Sequence, residues 1–470
     1  MHPDWVLKHK AKGTNISQIR GKYYLYEVGS VWNREKGRAQ KITKRYLGRI
    51  TEEGLVAPKE KSAKIVAPVS VKEFGAAAAV AELGKEVLQK LEEAFPGEGR
   101  RVFALAAMRV VEPNPFKRAQ LQYRNSYLSE LLPGLRLSGK DISLFLREFG
   151  GRREEMAGFM RGFIGEGAHL LFDGTGIVSQ SEKMGVNRVG YNAHRDYRPQ
   201  INLLYAFAHG SRMPAYYRVV AGNVRDVSAF KLCLEEARLK DMTVVADKGF
   251  GSKGNFALMD AANIKYVVPL RRDSGLFNSA KLETGDKSAF DGYFLFNGRP
   301  VWHYSTPEAV VYLDNDLRNE EEKDYILRIE KQLEGYTKEE FLKRQFKFGA
   351  IILRTNLQKT PEEVYGIYKE RGEIEQAFDF LKNLLEQDKT HMQNEKSLEA
   401  WAFINHIALM LHYKIYNLLR EKKLLPKFSV ADFLSHLKYI FKIKAGQQWL
   451  TSEISTKTAD LLEALGVRIT

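Results

Sequence analysis

The stretch Tyr368-Lys-Glu-Arg371-Gly-Glu-Ile-Glu375-Gln-Ala-Phe-Asp-Phe-Leu-Lys382 decides how the rest of the chain is read. A helix turns by about 100° per residue, so a helical winding gathers Tyr368, Arg371, Glu375 and Lys382 into roughly a 60° sector. Ile367, Ile374, Phe378, Leu381 and Leu385 fill the neighbouring sector, which must face a core. A carboxylate, two cations and a phenol therefore line the margin of a buried stripe, an arrangement suited to a metal ion beside a phosphate. Glu373 points to nearly the opposite side. Upstream, Thr360 and Glu363 have the spacing of a capping box that starts this helical pattern.

The surrounding composition agrees with a polyanionic partner. The chain has 470 residues, 44% of them hydrophobic, and a formal net charge of +15. That length exceeds one ordinary core and implies about two to four domains. The basic excess favours nucleic acid first and an anionic membrane surface second. The longest apolar run, Gly75 to Ala81, is far too short to span a bilayer, so no membrane partner is expected. Cys233 is the only cysteine, which excludes an internal disulfide and a cysteine-based zinc site and fits a reducing cytosol. No apolar leader opens the chain, and a cytoplasmic location is expected.

The fold class expected is mixed α/β, an α+β arrangement with helices packed on a mixed sheet. Residues 1–51 read as a basic, β-rich DNA-binding region, because Tyr23–Val28 and Lys41–Leu47 are rich in β-branched and aromatic residues interleaved with cations. Arg34, Arg38, Lys44 and Arg45 are its candidate DNA contacts. Residues 52–72 read as a linker and 73–165 as a helical module broken at Pro113, Pro115 and Pro133-Gly134. Residues 166–270 hold apolar strands alternating with helix and form the first part of a catalytic core. Residues 271–346 are an excursion with strand patterns at Phe290–Tyr304 and Ala309–Leu313. Residues 347–425 return to the core, and 426–470 read as a helical C-terminal region.

Two further acids stand at the ends of apolar strands. His169-Leu-Leu-Phe-Asp173 and Met242-Thr-Val-Val-Ala-Asp247 each place a short carboxylate at a sheet edge. Such a pair on neighbouring strands, joined by Glu375 from a helix, has the hard oxygen ligands that a divalent cation takes. Two metals about 4 Å apart would then serve phosphodiester cleavage. Asp314 and Asp316 also follow an apolar strand, but Asn315 and the run Glu320–Glu322 read as a solvated loop. The histidines, His406 and His412 among them, lack metal-ligand spacing.

These residues resemble a known family. Asp173-Gly-Thr175, Asp247-Lys-Gly249-Phe250 and Tyr-x2-Arg-x3-Glu-x6-Lys match the signature of bacterial insertion-sequence DDE transposases. The group resembled has a ribonuclease-H-like core interrupted by a strand-rich insertion before the catalytic Glu. Gly190-Tyr191, Arg198-Pro199-Gln200 and Gly222-Asn223-Val-Arg-Asp226 extend the match, which covers roughly residues 165–420. The resemblance implies cut-and-paste transposition by a homodimer on double-stranded DNA, at terminal inverted repeats and at a target site. It implies Mg2+ or Mn2+ in a two-metal site held by Asp173, Asp247 and Glu375. It implies that Tyr368, Arg371 and Lys382 hold DNA phosphates. Trp302, the only Trp of the excursion, is a candidate for stacking on a flipped base. The alternatives are a structure-selective nuclease or resolvase on the same fold, and a catalytically silent DNA-binding derivative.

The DNA flanking the coding region tests this reading. Sequencing it should show matching inverted repeats bounded by short direct duplications, and flanks without repeats would count against a mobile element.

Overall fold

The computed structural model describes residues 2–33, 37–58, 69–165, 169–179, 181, 183–191, 197–208, 210–223, 233, 235–237, 243–369, 371–372 and 389–469. The chain divides into two compact units, 1–68 and 69–470. In the first, four antiparallel strands follow in chain order: β1 (Thr14–Ile19), β2 (Lys22–Asn33), β3 (Arg38–Thr51) and β4 (Gly54–Val56). Val6, Ile16, Leu25 and Ile50 form a small core, with Trp5, Tyr23 and Leu47 packed against it.

The linker expected at 52–72 instead contains structure at both ends. Gly54–Val56 pairs with Arg49–Thr51, and β5 (Val69–Glu73) belongs to a second sheet. Both segments are short, and the charged residues beside them conceal the strand alternation.

Among the described residues, the second unit is built on an 11-stranded sheet. Its first strands are β6 (His169–Ser179), β7 (Arg188–Tyr191), β8 (Tyr197–Ala208) and β9 (Met213–Ala221). β6, β8 and β9 form an antiparallel meander, with β7 sharing the β8 edge. β10 (Thr243–Ala246) lies parallel to β6. β11 (Lys265–Pro269) lies parallel to β10, reached through the helix Lys253–Ala261. The order β9-β8-β6-β10-β11 is a ribonuclease-H-like topology. β6 and β10 are near-continuous apolar runs, as strands buried on both faces require: Leu170, Leu171, Phe172, Val244, Val245 and Ala246 are all buried.

The excursion at 271–346 is expected as a domain of its own. Its strands β12 (Gly292–Phe296), β13 (Arg299–Ser305) and β14 (Val310–Asp314) instead continue the core sheet through β15 (Ala350–Thr355), which pairs with β11. Val311, Tyr312 and Leu313 are buried because β14 is an interior strand. The two-residue β16 (Lys389–Thr390) returns to pair with the far end of β6. The helix expected at Ser228–Lys240 lies largely outside the described residues.

Helices Gly75–Leu83, Lys85–Ala94, Gly99–Val111, Gly139–Phe149 and Arg153–Arg161 pack around the long helix Glu395–Glu421. Phe95, Phe149, Phe159 and Phe403 meet there with ring centroids 5.0 to 6.2 Å apart. The C-terminal region, expected to be helical, contains the helices Val430–Leu437 and Thr456–Leu465 but also a hairpin. β17 (Phe441–Ala445) and β18 (Gln448–Thr451) pair with each other, and β17 pairs with β5. Phe441-Lys-Ile-Lys-Ala alternates with period two, and Gly446 at φ +66° permits the tight turn.

One ion network ties helices to sheet. Arg153 places Nη2 2.8 Å from Glu236 Oε2 and Nη1 2.8 Å from Glu399 Oε1, and Nη2 also donates to the Tyr217 carbonyl at 2.8 Å. Arg218 reaches Glu236 from β9 at 2.6 Å. Burial alone would raise the Glu236 pKa, but the Arg153 hydrogen bond and charge override it and hold the carboxyl at about 2. Arg153→Met should destabilise the unit by about 1–3 kcal/mol, because it takes the guanidinium from Glu399 and leaves Glu236 with Arg218 alone. The folded pKa of Glu236 is depressed, so its stabilising contribution is present above the ordinary carboxylate value and is lost as pH falls toward 2. Denaturant titrations should show the parent losing stability across that acid window and Arg153→Met losing less; parallel pH profiles would contradict the network's role.

Candidate active site

The site begins with a register. β6 and β10 pair from His169↔Thr243 to Phe172↔Ala246. Asp173 and Asp247 are the next residue on each strand, so side-chain alternation sends both carboxylates to the same side of the sheet. Both are half-buried. The expectation that Asp173 ends its strand is corrected: β6 runs on to Ser179, held by β8 from Asp173↔Tyr205 to Val178↔Gln200. Only the β10 side opens at this point. Asp173 stands where its neighbour leaves the sheet, and its Oδ1 accepts from the Gly174 amide at 2.8 Å.

Asp247 is fixed by the turn on its C-terminal side. It is extended, with φ −75° and ψ 164°, and leads directly into the single helical turn Lys248–Phe250. The Phe250 amide donates to the Asp247 carbonyl at 2.9 Å, and the Phe250 ring is buried. Asn255 Nδ2 donates to the Phe250 carbonyl at 2.8 Å, and Ser252 caps the next helix through the Asn255 amide.

Arg371 reaches Asp247. Its Nη1 lies 3.2 Å from Asp247 Oδ1, with the two side chains 20% and 31% exposed. The expected capping box is present: the Thr360 amide donates to Glu363 Oε2 at 2.9 Å and the Glu363 amide to Thr360 Oγ1 at 3.3 Å. The backbone hydrogen bond from Thr360, with further help from Lys359, pulls the Glu363 carboxyl down to about 2. Among the described residues the helix spans Pro361–Lys369, and Arg371 stands in a turn. The Arg371 amide donates to the Tyr368 carbonyl at 3.2 Å, a tightened final turn. Tyr368 is half-buried against the core. Glu375 and Lys382 lie outside the described residues.

Residues that position this helix are not evident from the sequence alone. Tyr312 Oη donates to the Pro361 carbonyl at 2.8 Å, and Tyr365 Oη donates to Asp314 Oδ2 at 3.1 Å. Asp314 is fully buried and accepts from the Asp316 and Leu317 amides at the start of the helix Asn315–Glu330. The solvated-loop reading of Asp314 is thus corrected: the carboxylate is a helix cap. Asp-Asn-Asp-Leu after an apolar strand was the available signal.

Other predicted residues disperse. Trp302 on β13 is half-buried, 5.2 Å from the Tyr293 ring centroid, with Lys287 Nζ 5.3 Å above it. Arg34 lies outside the described residues. Arg38, Lys44 and Arg45 belong to the N-terminal unit. His406 is fully buried, bonded through Nδ1 to Tyr205, and burial pushes its pKa down to about 3, so it is a neutral core residue. Gly190, Gln200 and Gly222 converge where β7 and β9 meet β8: a Cβ on Gly190 would stand 2.1 Å from the Gly222 carbonyl oxygen, and Asn202 Nδ2 donates to that oxygen at 3.2 Å. Their shared motif therefore maintains a close backbone crossing.

Among the described residues, no helix is long and apolar enough to cross a membrane. No curated protein matches the sequence. The chain is similar to a chain in the cryo-electron-microscopy structure of a piggyBac transposase synaptic complex with hairpin DNA. That match has 11% identity and a TM-score of 0.38, over 77% of this chain and 76% of that one. The family model described as the transposase DDE domain matches residues 165–411, which contain Asp173, Asp247 and Arg371. Over more than half its length the sequence fits that model, and the chain belongs to the DDE transposase family.

Proposed function

We propose that the chain is a transposase of the bacterial insertion-sequence group with the Tyr-x2-Arg-x3-Glu-x6-Lys motif. It would cut DNA at terminal inverted repeats and join the freed ends to target DNA, acting as a homodimer on paired ends. The observation that carries this reading is the contact of Arg371 with Asp247, one residue beyond the register that sets Asp173 beside Asp247.

The donor chemistry fits a divalent cation. Two carboxylates on rigid neighbouring strands supply hard oxygen ligands. Among the described residues, no group of three or more His, Cys, Asp or Glu could hold a metal ion; the third ligand proposed is Glu375, from the motif shared with the family. Two Mg2+ or Mn2+ ions held by Asp173, Asp247 and Glu375 would supply activation of the attacking oxygen and charge stabilisation at the leaving one. Arg371, in contact with Asp247, would hold a phosphate oxygen of the scissile strand. Tyr368 and Lys382 are assigned to neighbouring phosphates. Trp302, beside the exposed Tyr293, is assigned the stacking of a displaced base.

The test uses purified full-length protein and a duplex carrying the element's own end. Asp173→Asn, Asp247→Asn and Glu375→Gln should each reduce Mg2+-dependent cleavage at least about a hundredfold, the scale of losing a principal electrostatic group. Duplex binding should remain within about threefold. Cleavage by Asp173→Asn at near the parental rate would remove the assignment. Lys382→Ala should weaken the active complex; an unchanged cutting rate would remove its phosphate role. Cleavage without joining of 3′ ends would indicate a nuclease or resolvase.

A further inference from the structure

The β2–β3 hairpin extends beyond the sheet that anchors it. β1 pairs only with Lys22–Glu27, and β4 only with Arg49–Thr51. Past Val28, β2 and β3 pair only with each other among the described residues, through Gly29↔Ile42, Ser30↔Lys41, Val31↔Gln40, Trp32↔Ala39 and Asn33↔Arg38. Those five rungs span about 14 Å. Residues 38–45 are all exposed, and Trp32 and Val31 are 64% and 53% exposed. A two-stranded ribbon with no core on either face is marginal by itself. Its side chains are laid out for a partner.

The two faces differ in chemistry. Alternation puts Val31, Asn33, Arg38, Gln40 and Ile42 on one face. Lys44 joins them: it is the extra residue at the bulge between the Glu27↔Arg45 and Val28↔Thr43 rungs, and it lies over Gly29. A Cβ on Gly29 would meet Lys44 Cε at 2.5 Å, so the missing side chain is what lets the lysine lie along this face. Asn33 Nδ2 donates to Gln40 Oε1 across the strands at 3.0 Å. The opposite face carries Ser30, Trp32, Ala39 and Lys41, with Lys41 tied to Asn15 at 2.9 Å. Arg45 opposes Glu27, which lies on the Gly29 side of β2, so Arg45 falls on the Lys44 face as well.

We infer that this ribbon enters the major groove of duplex DNA with the Asn33–Arg38–Gln40–Lys44 face toward the base edges. The inference deepens the proposed transposase function and rests on it. B-form major grooves, about 12 Å wide, admit a two-stranded β-ribbon, whereas the narrow major groove of an RNA duplex does not. Asn and Gln amides pair with adenine and Arg with guanine, which makes this face a base-reading set. No acid occurs among residues 28–33 or 37–51, and residues 1–68 contain fifteen Lys and Arg against six Asp and Glu. That surplus suits the flanking phosphates.

The experiment enriches a pool of random 30-base-pair duplexes on the full-length chain, then compares affinity for the enriched sequence with affinity for the unselected pool at fixed salt. The combined Asn33→Ala, Arg38→Ala, Gln40→Ala variant should lose at least about tenfold of the preference for the enriched sequence, the scale of losing bidentate base contacts. Its affinity for the unselected pool should fall by less than about fivefold. Lys41→Ala, on the other face, should keep the preference. Circular dichroism and melting establish that each variant folds, and Gly29→Val, which displaces Lys44, offers a second variant expected to lose preference. Retained preference in the triple variant, or no enrichment by the parent while it binds duplexes, overturns the ribbon assignment and leaves the catalytic reading standing. A parent that binds no duplex at all overturns both.

Discussion

The β6–β10 register is the constraint on which the site depends. Leu170, Leu171 and Phe172 are buried beside Val244, Val245 and Ala246, so the pairing of these strands is set by the core. A slip of one residue would set one aspartate against the buried apolar run of its neighbour and separate Asp173 from Asp247 in the same step. Site geometry and core stability are thus one property. Two carboxylates placed side by side repel, and an arrangement that keeps them together requires positive charge. Arg371 supplies some of it directly, at 3.2 Å from Asp247.

That guanidinium is held by a series of local contacts that begins well away from it. β14 carries Tyr312 and Asp314, which hold the helix Pro361–Lys369 at its first residue and at Tyr365. The same Asp314 starts the helix Asn315–Glu330. The segment 271–346 therefore does more than interrupt the core: its last strand orients the helix that delivers Arg371. On the other flank, Arg153 joins Glu399 at the start of the long helix to the β9 backbone. Polar contacts at β14 and β9 brace the flanking helices, while β6 and β10 between them are apolar.

Much of the framework around the candidate site was legible because it obeys local rules. An apolar run ending in Asp marked both Asp173 and Asp247, and Thr360 with Glu363 marked the helix before Arg371. The features that stayed hidden depend on distant partners. Nothing local to Gly174-Thr-Gly176 says that β6 continues, because β8 supplies the reason. Asp314 looked solvated because its neighbours are polar, yet its carboxylate satisfies two helix amides and a phenol within the core. β17 and β18 were missed because period-two alternation over five and four residues is faint between two helices. The continuity of β12–β14 with the core sheet rests on the β14–β15 pairing, which brings together residues more than thirty positions apart.

The central claim is that Asp173 and Asp247 act as one cation-binding unit. Calorimetric titration of Mn2+ into the full-length chain on an end duplex tests it without relying on turnover. The account predicts binding of about two ions by the parent, and loss of ions or a large fall in affinity for Asp173→Asn and Asp247→Asn alike. Parental stoichiometry and affinity in both variants would contradict it.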